Sequence, residues 1–67
     1  MVTIQVNGEA REVPNGLNVT QLVDQLGLTA NRLAIERNLE IIPRGRWPTT
    51  PVSAGDRFEI VHLVGGG

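Results

Sequence analysis

The sequence predicts an α+β domain in which a mixed sheet of four to five strands packs one face on a single helix. Three observations carry that expectation. Short runs of apolar–polar alternation bounded by turn residues fill most of the chain, the period-2 signature of half-buried strands. Only the segment around residues 18–28 combines a 3.6-residue apolar period with signals for both helix ends. One helix cannot cover both faces of a sheet, so the other face is left to solvent.

The elements follow in order. Val2, Ile4 and Val6 alternate with Thr3, Gln5 and Asn7, and Asn7-Gly8 is a strong hairpin signal because the favoured two-residue turn needs positive φ. The return strand covers residues 9–13. A two-residue turn sets Val13 beside Val2 on the core face, but it sets Glu9 and Arg11 there too, so this strand should be short, bulged or at an edge. Pro14-Asn15-Gly16 ends it.

The helix is expected over residues 19–26. Asn18 is a good N-cap, Gln21 completes a capping box, and Leu17 can staple against Leu22. Val19, Leu22, Val23 and Leu26 form one apolar stripe. Gly27 suits the left-handed position after the helix, with Leu28 folding back on Val23 in a Schellman ending.

Leu33 and Ile35 mark a third strand, and the stretch from Arg37 to Glu40 reads as a turn into a short strand at Ile41-Ile42. Pro43, Pro48 and Pro51 exclude a central strand or a long helix, so residues 43–53 are expected as surface loop, with Trp47 covering the edge of the core. A last strand runs from Arg57 to Val64. Phe58 and Ile60 face one way in it, and Glu59, Val61 and Leu63 the other.

Composition narrows the function. A chain of 67 residues makes one small core, which argues against a deep catalytic cleft. With no Cys, it offers no thiolate metal site and no cysteine nucleophile. Six basic residues, all Arg, against seven acidic ones give a formal net charge of −1, which supplies no electrostatic footprint for nucleic acid or an anionic membrane. No apolar run is long enough to span a bilayer and no signal peptide is evident, so a cytoplasmic location is expected. Ser53, Asp56 and His62 supply the hydrolase triad types, yet no nucleophile-elbow pattern surrounds Ser53. His62 has no second His or Cys to form a metal site, and Arg44 and Arg46 read first as solvated loop charges.

What remains is the end of the sequence, Val64-Gly65-Gly66-Gly67. Residues 1–64 are read as the domain and 65–67 as a flexible tail. Without Cβ atoms the glycines make a thin thread, and residues 64–67 fully extended would reach roughly 13 Å, at ~3.3–3.6 Å per residue. That length presents a terminal carboxylate to a partner's active site. A frayed terminus or a linker is the plainer reading of the same residues.

The order of elements is a β-grasp layout, and the chain resembles the ThiS family of small sulfur carriers of thiamine biosynthesis. The resemblance rests on Val6-Asn7-Gly8-Glu9, Leu26-Gly27-Leu28, Ile35-Glu36-Arg37-Asn38, Ile42-Pro43-Arg44 with Arg46-Trp47, Gly55-Asp56-Arg57, and Glu59-Ile60-Val61-His62 leading into the glycines. The sequence departs from the pattern at Leu39, where a turn-forming Gly is expected after Asn38. The resemblance implies that the Gly67 carboxylate is adenylated from ATP by an adenylating enzyme of the ubiquitin-activating type (ThiF type). Sulfur from a cysteine-desulfurase persulfide then yields a thiocarboxylate, delivered to thiazole synthase (ThiG type). The chain would be a protein co-substrate rather than an enzyme and would hold no cofactor, the ATP and metal chemistry belonging to the partner. Gly65 and Gly66 would serve by slimness, and Glu59, Val61 and Leu63 would form the docking surface beside the tail. Alternatives are the small subunit of molybdopterin synthase, a carrier for another sulfur pathway, and a non-enzymatic β-grasp interaction module in which the glycines are incidental.

Overall fold

The computed structural model describes residues 1–29 and 31–63. Its elements are β1 (Val2–Val6), β2 (Glu9–Val13), α1 (Val19–Gln25), β3 (Leu33–Arg37), β4 (Glu40–Ile41), a 3₁₀ helix (Arg44–Thr49) and β5 (Arg57–His62). The strands form one sheet in the order β2-β1-β5-β3-β4. Only β1 and β5 are parallel; the other neighbours are antiparallel. The sheet is therefore mixed, as expected, and the strand that leads to the glycine run lies at its centre.

The first hairpin is built on Asn7 (φ 52°) and Gly8 (φ 83°), with Val2 opposite Val13 and Ile4 opposite Arg11. β2 is full length and sits at the edge, which is what lets Glu9 and Arg11 stay exposed on a face that buries Ile4 and Val6. The second hairpin turns on Asn38 (φ 51°) and Leu39 (φ 72°). The turn is retained although Leu39 replaces glycine, at the cost of a left-handed backbone under a γ-branched side chain.

The helix termini match the sequence closely. The Asn18 side chain accepts from the Gln21 N–H at 2.8 Å, and the Gln21 side chain accepts from the Asn18 N–H at 2.9 Å. Leu26 is the C-cap, and beyond it the Leu28 N–H donates to the Val23 carbonyl at 3.1 Å and the Gly27 N–H to the Asp24 carbonyl at 3.0 Å, both bonds of a Schellman motif.

The core lies between the helix and one face of the sheet, with Ile4, Val13, Val19, Leu22, Ile35 and Phe58 fully enclosed. Two expectations need correction. Residues 43–53 are not simply surface loop: they contain the 3₁₀ helix, with Pro48 inside it. A 3₁₀ turn closes with i→i+3 bonds, here from the Arg46 N–H to Pro43 and from the Thr50 N–H to Trp47, so the missing proline donor is tolerated. Trp47 is buried in the core rather than at its edge, its Nε1 donating to the Ile42 carbonyl at 3.1 Å. The second correction concerns β4, which is Glu40–Ile41. Ile42 leaves the strand and turns inward, while Ile41 stays exposed.

Candidate functional site

β5 supplies the candidate site because alternation along it separates packing from presentation. Phe58 and Ile60 are buried, while Glu59, Val61 and Leu63 are exposed, Val61 and Leu63 at 53% and 54%. The antiparallel register with β3 sets Val61 opposite Ala34 and Glu59 opposite Glu36. Glu36 in turn is opposite Ile41, which is 74% exposed. The outward face of β3, β4 and β5 thus carries Ile41, Ala34 and Val61 around two directly opposed glutamates; the expected last strand is shorter, ending at His62, so Leu63 is exposed just past it.

Opposed like charges on neighbouring strands cost free energy in the isolated domain. The sequence identifies Glu59 and Val61, which the structure brings onto one face, and Leu63, which follows the end of β5. It does not reveal Glu36 and Ile41, although alternation in Leu33–Arg37 assigns Glu36 to the face opposite Ile35. Ile41 has no such signal, because two adjacent isoleucines leave open which one points inward.

Leu63 is the last described residue, its N–H donating to the Arg32 carbonyl at 2.7 Å. Gly65, Gly66 and Gly67, the expected reacting tail, lie outside the described residues, as does Val64 at the expected end of the last strand.

The opposite end of β5 holds the buried acid Asp56. One carboxylate oxygen accepts from Arg37 Nε and from the Ser53 N–H, both at 2.8 Å, and the other from Asn38 Nδ2 at 3.2 Å. Burial by itself raises this carboxyl. The hydrogen bonds from Arg37, Ser53 and Asn38, together with the Arg37 charge, outweigh burial and hold it below its ordinary value of 3.8. Asp56 is thus a structural acceptor, both of its carboxylate oxygens engaged by donors from Arg37, Ser53 and Asn38. His62, at the far end of the same strand, is separated from it by roughly 20 Å at ~3.3 Å per residue, so no triad assembles. Arg44 lies 5.2 Å over the Trp47 ring, which accounts for one of the two loop arginines.

The fold and the exposed strand end define a single-helix β-grasp domain that presents the end of its central strand. The chain belongs to the ThiS family, whose model matches residues 4–67. It is 40% identical over 92% of its length to a thiazole synthase of Paramagnetospirillum magneticum, spanning 19% of that protein. The sulfur carrier protein ThiS of Escherichia coli is 30% identical over 96% of this chain and 97% of its own. Among solved structures, the crystal structure of the thiamine biosynthesis protein (ThiS) from Geobacter metallireducens superposes with a TM-score of 0.87 at 33% identity, covering 98% of this chain and all of the other.

Proposed function

We propose that the chain is a sulfur carrier for thiazole formation in thiamine biosynthesis, with the Gly67 carboxylate as its reacting group. The observation that carries the reading is a double similarity: to a small sulfur carrier over nearly its whole length, and to a segment of a thiazole synthase. A sequence like this one within the same polypeptide as a thiazole synthase favours thiazole synthase as the sulfur acceptor over a molybdopterin pathway.

The chemistry asks little of the carrier. A carboxylate with a reference pKa of about 3.3–3.7 is ionised near neutral pH and able to attack the α-phosphorus of ATP, releasing pyrophosphate. The terminal sulfur of a partner's persulfide then attacks the acyl carbon and displaces AMP, and a second thiol of a partner cleaves the S–S bond so formed, ending as a disulfide and leaving the thiocarboxylate on Gly67. ATP and metal ions belong to the adenylating partner, and the carrier contributes an accessible carboxylate and a docking face. Glu59, Val61 and Leu63 form that face, joined by Glu36 and Ile41. No helix among the described residues is long and apolar enough to cross a membrane, and the reading places the protein in the cytoplasm with its adenylating partner.

Intact mass spectrometry of protein from cells is expected to show a fraction with sulfur in place of one oxygen at the C-terminus. Removal of Gly67 should abolish ATP–pyrophosphate exchange by the adenylating enzyme while leaving the thermal melt unchanged. Sulfur transfer that survives this deletion would exclude the carrier function, and retained partner binding would then favour an interaction module.

A further inference from the structure

β5 has two neighbours, and they do not support it equally far. The Asn38 N–H donates to the Arg57 carbonyl and the Leu63 N–H to the Arg32 carbonyl, so the odd-numbered residues of β5 face β3 with their peptide groups. Phe58, Ile60 and His62 therefore turn theirs toward β1. The Asn7 N–H meets the Phe58 carbonyl at 2.9 Å, and the strand register ends with Val6 opposite Phe58. Beyond that point the backbone of Asn7 turns away into the hairpin.

Its side chain continues the ladder. Asn7 Oδ1 accepts from the Ile60 N–H at 2.8 Å, and Asn7 Nδ2 donates to the Ile60 carbonyl at 3.0 Å. The orientation of the amide is fixed, because a peptide N–H can only donate and a carbonyl can only accept. A primary amide offers the same donor–acceptor pair as a peptide unit, so the carboxamide replaces the strand residue that β1 lacks. Asn7 meets two demands at once: a backbone that accepts φ 52° and a side chain that both donates and accepts. Glycine satisfies only the first. Aspartate can accept from the Ile60 N–H but repels its carbonyl.

We propose that Asn7 is a positioning residue that sets where, and in which direction, β5 leaves the sheet toward the glycine run. The inference rests on the carrier reading above. Among the described residues, Ile60 is the last of β5 with a hydrogen bond to the β1 side, three residues before Leu63. Loosening it frees the root of the tail while the outward docking face stays paired with β3.

The test uses Asn7→Gly and Asn7→Asp in the full chain, each first shown to be folded by its thermal melt. Hydrogen exchange at the Ile60 amide should accelerate about tenfold or more in Asn7→Gly and less in Asn7→Asp, with the Phe58 amide unchanged. In ATP–pyrophosphate exchange with the adenylating enzyme, kcat should fall about tenfold in Asn7→Gly while KM stays within about twofold, because a small misplacement at a reacting group acts on turnover rather than docking. Unchanged Ile60 exchange, or faster Ile60 exchange with kcat intact, overturns the proposal and leaves the carrier reading standing. If the unaltered chain is not adenylated at all, both fall together. Should Asn7→Gly fail to fold, the same comparison in Asn7→Asp decides the matter.

Discussion

The two ends of β5 are secured by opposite means. Where the strand begins, a buried carboxylate gathers donors from Arg37, Asn38 and Ser53, and Arg57 is held on both sides of its peptide by Asn38. Where it finishes, one side-chain amide grips Ile60 and one backbone bond holds Leu63, with apolar side chains left in solvent. The first arrangement spends a charge to fix a loop and two strands together. The second relies on the β3 ladder and a single side-chain amide, and it leaves Val61 and Leu63 exposed.

The sharpest break of this contrast is at the beginning of the strand. Asp56→Ala strands three donors, one of them charged, and should lower unfolding free energy by about 2–3 kcal/mol in urea titrations. Adenylation by the folded fraction should be unaffected. A loss below about 1 kcal/mol would show the ring of donors to be better hydrated than its burial implies. The acid limb gives a second reading. A carboxyl whose folded value is depressed stabilises fully above the unfolded value of 3.8 and loses that contribution as pH falls through the lower folded value. Asp56→Ala should therefore flatten the fall in stability across that acid window relative to the unaltered chain.

At the other end, Val61→Asp should leave the melt nearly unchanged but weaken affinity for the adenylating enzyme by about tenfold, or about 1.4 kcal/mol. Equal affinity in a calorimetric titration would move the docking surface off this face. The smallest effect is expected at the second hairpin, where Leu39→Gly relieves a left-handed backbone at the cost of greater freedom in the unfolded chain. A net gain of about 0.5–1 kcal/mol follows. A loss in stability would mean that the exposed Leu39 side chain does more than its surroundings suggest.

What could be read from the sequence depended on how far each signal reaches along the chain. The capping box, the Schellman ending and the Asn7-Gly8 turn are set within a few residues, and each formed as its local chemistry requires. The ring around Asp56 joins residues 18 and 19 positions apart, with no periodic signature to mark it. Asn7 was hidden differently: its role in the turn accounts for it completely at the sequence level, and its bond to a residue 53 positions away adds no further pattern. The prolines of the 43–53 segment argued correctly against an α-helix, but they do not forbid the tighter helix that carries Trp47 into the core.

The place of β5 in the sheet bears on how the domain withstands being pulled. On the proposed carrier reading, a tail drawn into a partner's site would transmit tension along the axis of β5. β5 is flanked by β3 along most of its length and by β1 at its start, so such a load would shear a long ladder and a short one together, whereas an edge strand such as β2 can be peeled away one hydrogen bond at a time. A load along the axis of β5 would therefore meet more resistance than one that peels β2 from the edge.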